Sequence, residues 1–118
     1  MNGTTLLIVD DHPSFRSGAR ALLEAAGFVI VGEAASGAEA LDAARRLQPQ
    51  VVLLDIVLPD LDGFTVCQRL AEDDPVPAIV LTSSRDASAY RRRLRRSAAR
   101  GFISKPDLTG AALTAMIG

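Results

Sequence analysis

The chain has one cysteine, Cys67, so it forms no internal disulfide, and the cytoplasm is the expected compartment. No stretch approaches 18 consecutive apolar residues, so no transmembrane helix and no membrane role are expected. The opening MNGTTLLIVDDHP has no basic segment and soon turns acidic, unlike a secretory signal. Repeats, low-complexity tails and linkers are also lacking, and 118 residues suit one domain, 1–118, with a real core. Lysine is as scarce as cysteine. Twelve of the thirteen basic residues are arginine, and the exception is Lys105. Positive charge is short over residues 1–84, which hold five basic and twelve acidic side chains. Residues 85–118 hold eight basic and two acidic ones, so the net charge of −1 conceals a polarity.

What is present is an alternation of short apolar runs and helix-like stretches. Strands are expected at Leu6–Val9, Phe28–Val31, Val51–Leu54, Ala78–Leu81 and Gly101–Ser104. Between them, Pro13–Ala26 carries apolar residues at Phe15, Ala19, Leu22, Leu23 and Ala26, a helical spacing that Gly27 can end. Ser36-Gly-Ala-Glu39 has capping-box spacing before Leu41, Ala44 and Leu47, and Pro49 marks the exit. Further helices are expected at Phe64–Glu72, at Ala87–Ala99 with a thin apolar side of Tyr90, Leu94 and Ala98, and at Leu108–Ile117. Five β-α units with apolar, non-alternating strands imply an α/β fold: a parallel sheet covered on both faces, with right-handed crossovers. In such sheets the working groups lie beyond the carboxyl ends of the strands.

Four of the five strand ends carry chemistry. Strand one runs into Asp10-Asp11, strand three into Asp55, strand four into Thr82-Ser83 and strand five into Lys105. Three convergent carboxylates repel one another, and a hard divalent cation such as Mg²⁺ removes that penalty. An aspartate can act as nucleophile in phosphoryl transfer, with a metal and a lysine neutralising the phosphoryl oxygens and Thr82 donating to one of them.

The segments LLIVDDHP at 6–13, VVLLDIVLPDLDG at 51–63, AIVLTSS at 78–84 and GFISKP at 101–106 resemble the receiver domain of bacterial two-component response regulators, in order and spacing, over essentially the whole chain. The resemblance implies a doubly wound, flavodoxin-like five-stranded sheet of order 2-1-3-4-5. It implies that Asp55 is the phosphoacceptor, charged by a sensor histidine kinase. Asp11 would bind Mg²⁺ directly, Asp10 would help through water, and the Val57 backbone carbonyl would be a further ligand. Thr82 would be the switch hydroxyl, Lys105 the phosphate-contacting lysine, Phe102 the rotating aromatic, and the Lys105–Pro106 bond would be cis. The DDHPSFRSGARALLE opening looks most like LuxR/NarL-type receivers, which precede a helix-turn-helix output domain. Because the last helix, TGAALTAMIG, stops at the expected domain edge, the chain is read as an excised receiver, with a stand-alone receiver as the alternative; it would meet DNA only through a domain it lacks, with transcription as the controlled output.

Departures from the family pattern carry expectations of their own. Ala98-Ala99 replaces the usual Gly-Ala, so the fourth helix lacks a left-handed glycine at its end. Ser83 stands where a smaller residue is common. Val57 and Ser84, flanking the path of a hydrolytic water, cannot orient it by charge, so self-dephosphorylation should be slow. Asp60 and Asp62 are read as loop and cap residues, His12 as a rim residue, and Cys67 as core. Arg91, Arg92, Arg93, Arg95, Arg96 and Arg100 crowd the fourth helix and its exit, and like charges four apart disfavour it. That suggests an acidic partner, and in the family the face of helix four, strand five and helix five often joins two receivers. A phosphatase of the Asp-nucleophile type needs an acid two residues after the nucleophile, where this chain has Val57. A receiver-shaped module that is never phosphorylated is the remaining alternative, and the full set of acids, Thr82 and Lys105 argues against it.

Overall fold

The computed structural model describes residues 3–118. Five strands, β1 (Thr5–Val9), β2 (Val29–Ala34), β3 (Val51–Asp55), β4 (Ala78–Ser83) and β5 (Gly101–Ser104), alternate with helices α1 (Pro13–Ala25), α2 (Gly37–Leu47), α3 (Gly63–Ala71), α4 (Arg91–Arg96) and α5 (Gly110–Ile117). All strand pairs are parallel, in the order β2-β1-β3-β4-β5.

Strand residues alternate between two cores, which is why the strands read as continuous apolar runs. Leu7, Val9, Val52, Leu54, Ile79 and Leu81 face α2 and α3, where Ala40, Ala44, Val66, Cys67 and Leu70 are buried. Leu6, Ile8, Val51, Leu53, Val80 and Ile103 face the other side, where Ala19, Leu23 and Leu113 of α1 and α5 close over them. Each fully buried Leu, Ile or Val contributes about 1.5–3 kcal/mol relative to exposure.

Local signals place most ends. Gly27 takes φ +99° after α1, and the N–H of Phe28 returns to the Leu23 carbonyl. Ser36 Oγ accepts from the Glu39 N–H, while Glu39 Oε1 accepts from the Ala35 N–H, one residue earlier than a standard capping box. Asp62 caps α3 through the Thr65 N–H. Asp60, a loop residue, also accepts from the Gly37 and Ala38 N–H groups and so ties α2 to the β3–α3 loop.

Several expectations need correction. Leu22 is 41% exposed, because α1 buries only the narrow stripe of Ala19 and Leu23 against the sheet. Phe28 is core but precedes β2, which runs on to Ala34. The stretch expected to be one helix over 87–99 is a 3₁₀ turn, Ala87–Tyr90, followed by the short α4, none of whose residues is buried. Six consecutive helical positions with five arginines leave little apolar surface to pack. The missing glycine after α4 is compensated by Ser97, which takes an extended conformation, donates to the Leu94 carbonyl at 2.8 Å and accepts from the Ala99 N–H. Finally, Lys105–Pro106 is trans; among the described residues the cis bond is Asp74–Pro75. Lys105–Asp107 form a single 3₁₀ turn with Pro106 in its first turn, where the fixed φ of proline suits the helical backbone and its missing N–H leaves no bond unmade.

Candidate functional site

Sheet register sets the site. Val9 pairs with Leu54, Asp55 with Thr82, and Ser83 with Ser104, so the ends of β1, β3, β4 and β5 form one edge. Asp10, Asp55, Thr82 and Lys105 follow at that edge, on rigid scaffold rather than on long loops.

Asp10 and Asp55 are almost fully buried, and Asp11 is exposed at the mouth. Lys105 Nζ stands 2.7 Å from Asp10 Oδ2 and 3.1 Å from Asp55 Oδ2, bridging both carboxylates. The Asp10 contact is a close charge pair. Asp55 Oδ1 accepts from the Val57 N–H at 3.0 Å, and Asp10 Oδ1 from the His12 N–H at 2.8 Å. Arg16 donates to the Asp10 carbonyl at 2.7 Å, and the Lys105 ammonium lies 4.6 Å from the centre of the Phe15 ring. Ligand atoms of Asp10, Asp11, His12 and Asp55 all fall within 4.8 Å of one another.

Burial pushes the Asp55 carboxyl up to about 6; Asp10 adds to that rise, while the Val57 N–H and Lys105 oppose it. Burial would raise Asp10 too, but Lys105 and the His12 N–H outweigh it and hold Asp10 below the usual carboxylate range. Burial pulls on Lys105 in the opposite direction, yet the two aspartates raise its pKa above that of a free lysine. Thr82 Oγ1 is fully buried with no hydrogen-bond partner among the described residues. One ammonium shared by Asp10 and Asp55, with Asp11 left at the mouth and an unpartnered buried hydroxyl beside them, is the donor set that a hard cation and an anionic oxygen would complete.

The structure thus brings Asp10, Asp11, Asp55 and Lys105 into one pocket, with Thr82 paired to Asp55 across the strands. Val57 enters through its backbone, its side chain being 62% exposed. Phe102 is half-buried at the rim of the first core, its ring 6.2 Å from that of Tyr90. Cys67 is buried, and burial raises its thiol pKa, so it is core.

Three features escaped sequence reasoning. The Tyr90 hydroxyl meets Ser83 Oγ at 3.1 Å, and its ring lies 6.0 Å from Phe64. Arg93 pairs with Asp62 at 2.8 Å and stacks 4.2 Å over Phe64; no other arginine of α4 and its exit has an acidic partner among the described residues. His12 Nδ1 stands 3.1 Å from both Asp10 Oδ1 and Asp11 Oδ1. The charge run and the adjacent DDH signalled the last two. The first joins residues seven apart through a turn whose path the sequence does not reveal.

Residues 6–117 match the response regulator receiver domain family. BvgA of Bordetella pertussis, named as a virulence-factor transcription regulator, is 41% identical over 103 residues, covering 86% of this chain and 49% of BvgA. The response regulator GacA of Pseudomonas viridiflava is 34% identical over 113 residues, covering 95% of this chain and 51% of GacA. The chain therefore spans about half the length of these curated relatives. A LuxR-family two-component response regulator from Aurantimonas sp. SI85-9A1 superposes with a TM-score of 0.89 at 28% identity, over 98% of this chain and 86% of that one.

Proposed function

The chain belongs to the response regulator receiver domain family, and on that premise we propose that Asp55 is its phosphoacceptor, loaded by a sensor histidine kinase. The observation that carries this reading is a buried carboxylate with an ammonium 3.1 Å away and two further acids beside it. Asp55 attacks phosphorus in line, the bond from phosphorus to the donor's imidazole nitrogen breaks, and an acyl phosphate forms with the electron pair leaving on that nitrogen. Asp10, Asp11, Asp55 and the Val57 carbonyl would hold Mg²⁺, which when bound neutralises charge on the phosphoryl oxygens. Lys105 contacts one of those oxygens, and Thr82 donates the hydroxyl that now lacks a partner. Thr82 moving toward the phosphoryl group would draw on β4 and so on Phe102 and α4, whose lack of buried residues makes it the element easiest to reset. The output surface is then the face of α4, β5 and α5, where unpaired arginines would meet acidic groups of a second copy or another partner. Relatives named as transcription regulators support control of transcription through a DNA-binding domain outside this chain, in the cytoplasm. The chain promotes its own phosphorylation but is not a turnover enzyme.

The test is incubation with acetyl phosphate or phosphoramidate and Mg²⁺, followed by intact mass. One phosphoryl group should add to the wild-type chain and none to Asp55→Asn. No gain would favour a receiver-shaped interaction module, and continuous phosphate release from monoesters a hydrolase. A second expectation concerns lifetime. Val57 and Ser84 are both exposed at the site, and neither carries a group that can orient a water by charge. After the donor is removed, the added mass should persist for minutes or longer; decay within seconds would contradict this account of the two positions.

A further inference from the structure

Of the four side chains whose ligand atoms crowd the pocket, three offer only oxygen; the fourth, His12, is the sole histidine of the chain. We propose that His12 Nδ1 is a ligand of the pocket cation, and that it makes the pocket favour borderline transition-metal ions such as Co²⁺, Ni²⁺ and Zn²⁺ over Mg²⁺. The inference rests on the reading of the pocket as a cation site and adds a residue and a selectivity to it.

The placement starts with Pro13. A residue before proline is held out of the helical region, and His12 is extended at φ −97°, ψ 110°. Its N–H is tied to Asp10 Oδ1, so the imidazole folds back over the two acids instead of continuing along α1. Nδ1 then stands 3.1 Å from Asp10 Oδ1 and 3.1 Å from Asp11 Oδ1. Neighbouring ligand atoms on a six-coordinate ion with bonds of about 2.1 Å lie about 3 Å apart. The nitrogen is therefore at ligand spacing from two carboxylate oxygens at once. A proton on Nδ1 can bridge the same two oxygens, and a cation would take its place. The side chain is 65% exposed, so a hydrated ion can reach it.

Selectivity follows from donor chemistry. Mg²⁺ prefers oxygen and keeps several waters, whereas imidazole suits zinc, copper, iron and nickel, and affinity rises from Mn²⁺ through Co²⁺ and Ni²⁺. Three carboxylates alone would serve hard ions; adding a nitrogen favours the later ones.

The test uses the metal-free chain without an affinity tag, titrated calorimetrically with MgCl₂ and separately with CoCl₂. It compares wild type, His12→Ala and His12→Asn. His12 makes no side-chain cap to α1, so both variants should keep that helix, which circular dichroism checks. The ratio of Co²⁺ to Mg²⁺ affinity should fall about tenfold or more in both, since even outer-shell partners of a metal ligand are worth that much. The asparagine offers an oxygen and should not restore the ratio. The visible absorption of the Co²⁺ complex should change when the nitrogen donor is lost. A ratio within about twofold of wild type, with an unchanged spectrum, would overturn the role of His12 while leaving the pocket a Mg²⁺ site. Failure of the wild-type chain to bind either ion would remove both this inference and the cation reading beneath it.

Discussion

Gly63→Ala should destabilise the domain by about 3 kcal/mol and slow its phosphorylation, an effect out of proportion to one methyl group. Gly63 is the first residue of α3, and its N–H reaches the Ile56 carbonyl at 2.7 Å. A Cβ added there would collide with the carbonyl oxygen of Asp55 and lie 2.7 Å from Ile56 Cα. Those are backbone atoms at the end of a buried strand, so no side chain can swing aside, and either α3 or the Asp55 segment must move. Overpacking of a well-filled core typically costs about 1–3 kcal/mol, and a clash with backbone belongs at the upper end. The same displacement shifts Asp55 from Lys105, and in-line transfer is sensitive to such misplacement. Urea unfolding reads the first effect, and the rate of mass gain with phosphoramidate reads the second. Gly18→Ala is the contrast: a Cβ at Gly18 meets nothing within 4 Å and the residue lies inside α1, so that change should stabilise by about 0.5–1 kcal/mol. Gly63→Ala within about 1 kcal/mol of wild type would show that α3 does not press on the acceptor strand.

Asp55→Asn should make the metal-free domain more stable at neutral pH, although it removes the central residue of the site. Asp55 has its pKa raised to about 6 from 3.8, chiefly by burial. The folded state therefore binds this proton more tightly than the unfolded chain does. Stability from this group is highest below the unfolded pKa, falls as pH rises from about 4 to about 6, and levels off above. A shift of this size corresponds to about 3 kcal/mol at most, and losing a charged partner of Lys105 reduces the gain to about 1–2 kcal/mol. Asp10 works the other way. Its pKa is lowered, so its contribution is present at neutral pH and is lost as pH falls through its folded value. Thermal unfolding without metal should show Asp55→Asn above wild type at pH 7, with the gap closing near pH 4. Saturating Mg²⁺ should raise the wild-type midpoint by several degrees and the variant's by much less, because the ion binds only the folded pocket. A variant less stable than wild type at both pH values would mean that the Asp55–Lys105 pair stabilises the fold, rather than burial straining it.

The strands and their chemical ends were legible without coordinates. A parallel sheet covered on both faces turns its strands into apolar runs such as Val51–Leu54, and an aspartate or a lone lysine closing such a run stands out. Ser36, Gly27 and Asp62 announced helix ends because capping is a matter of a few neighbouring residues. Other features depended on which segments meet in space. Register put Asp55 beside Thr82 and left that hydroxyl without a partner. The chain leaving β5 ran through a 3₁₀ turn with Lys105–Pro106 trans, and the narrow seat of α1 turned Leu22 outward. Ser97 took the place of a glycine, and the imidazole of His12 came to rest between two acids. Periodicity and capping act over a turn or a strand and are written locally. The sharing of one ammonium by Asp10 and Asp55, 45 positions apart in sequence, is decided only when the strands align and the loops between them close.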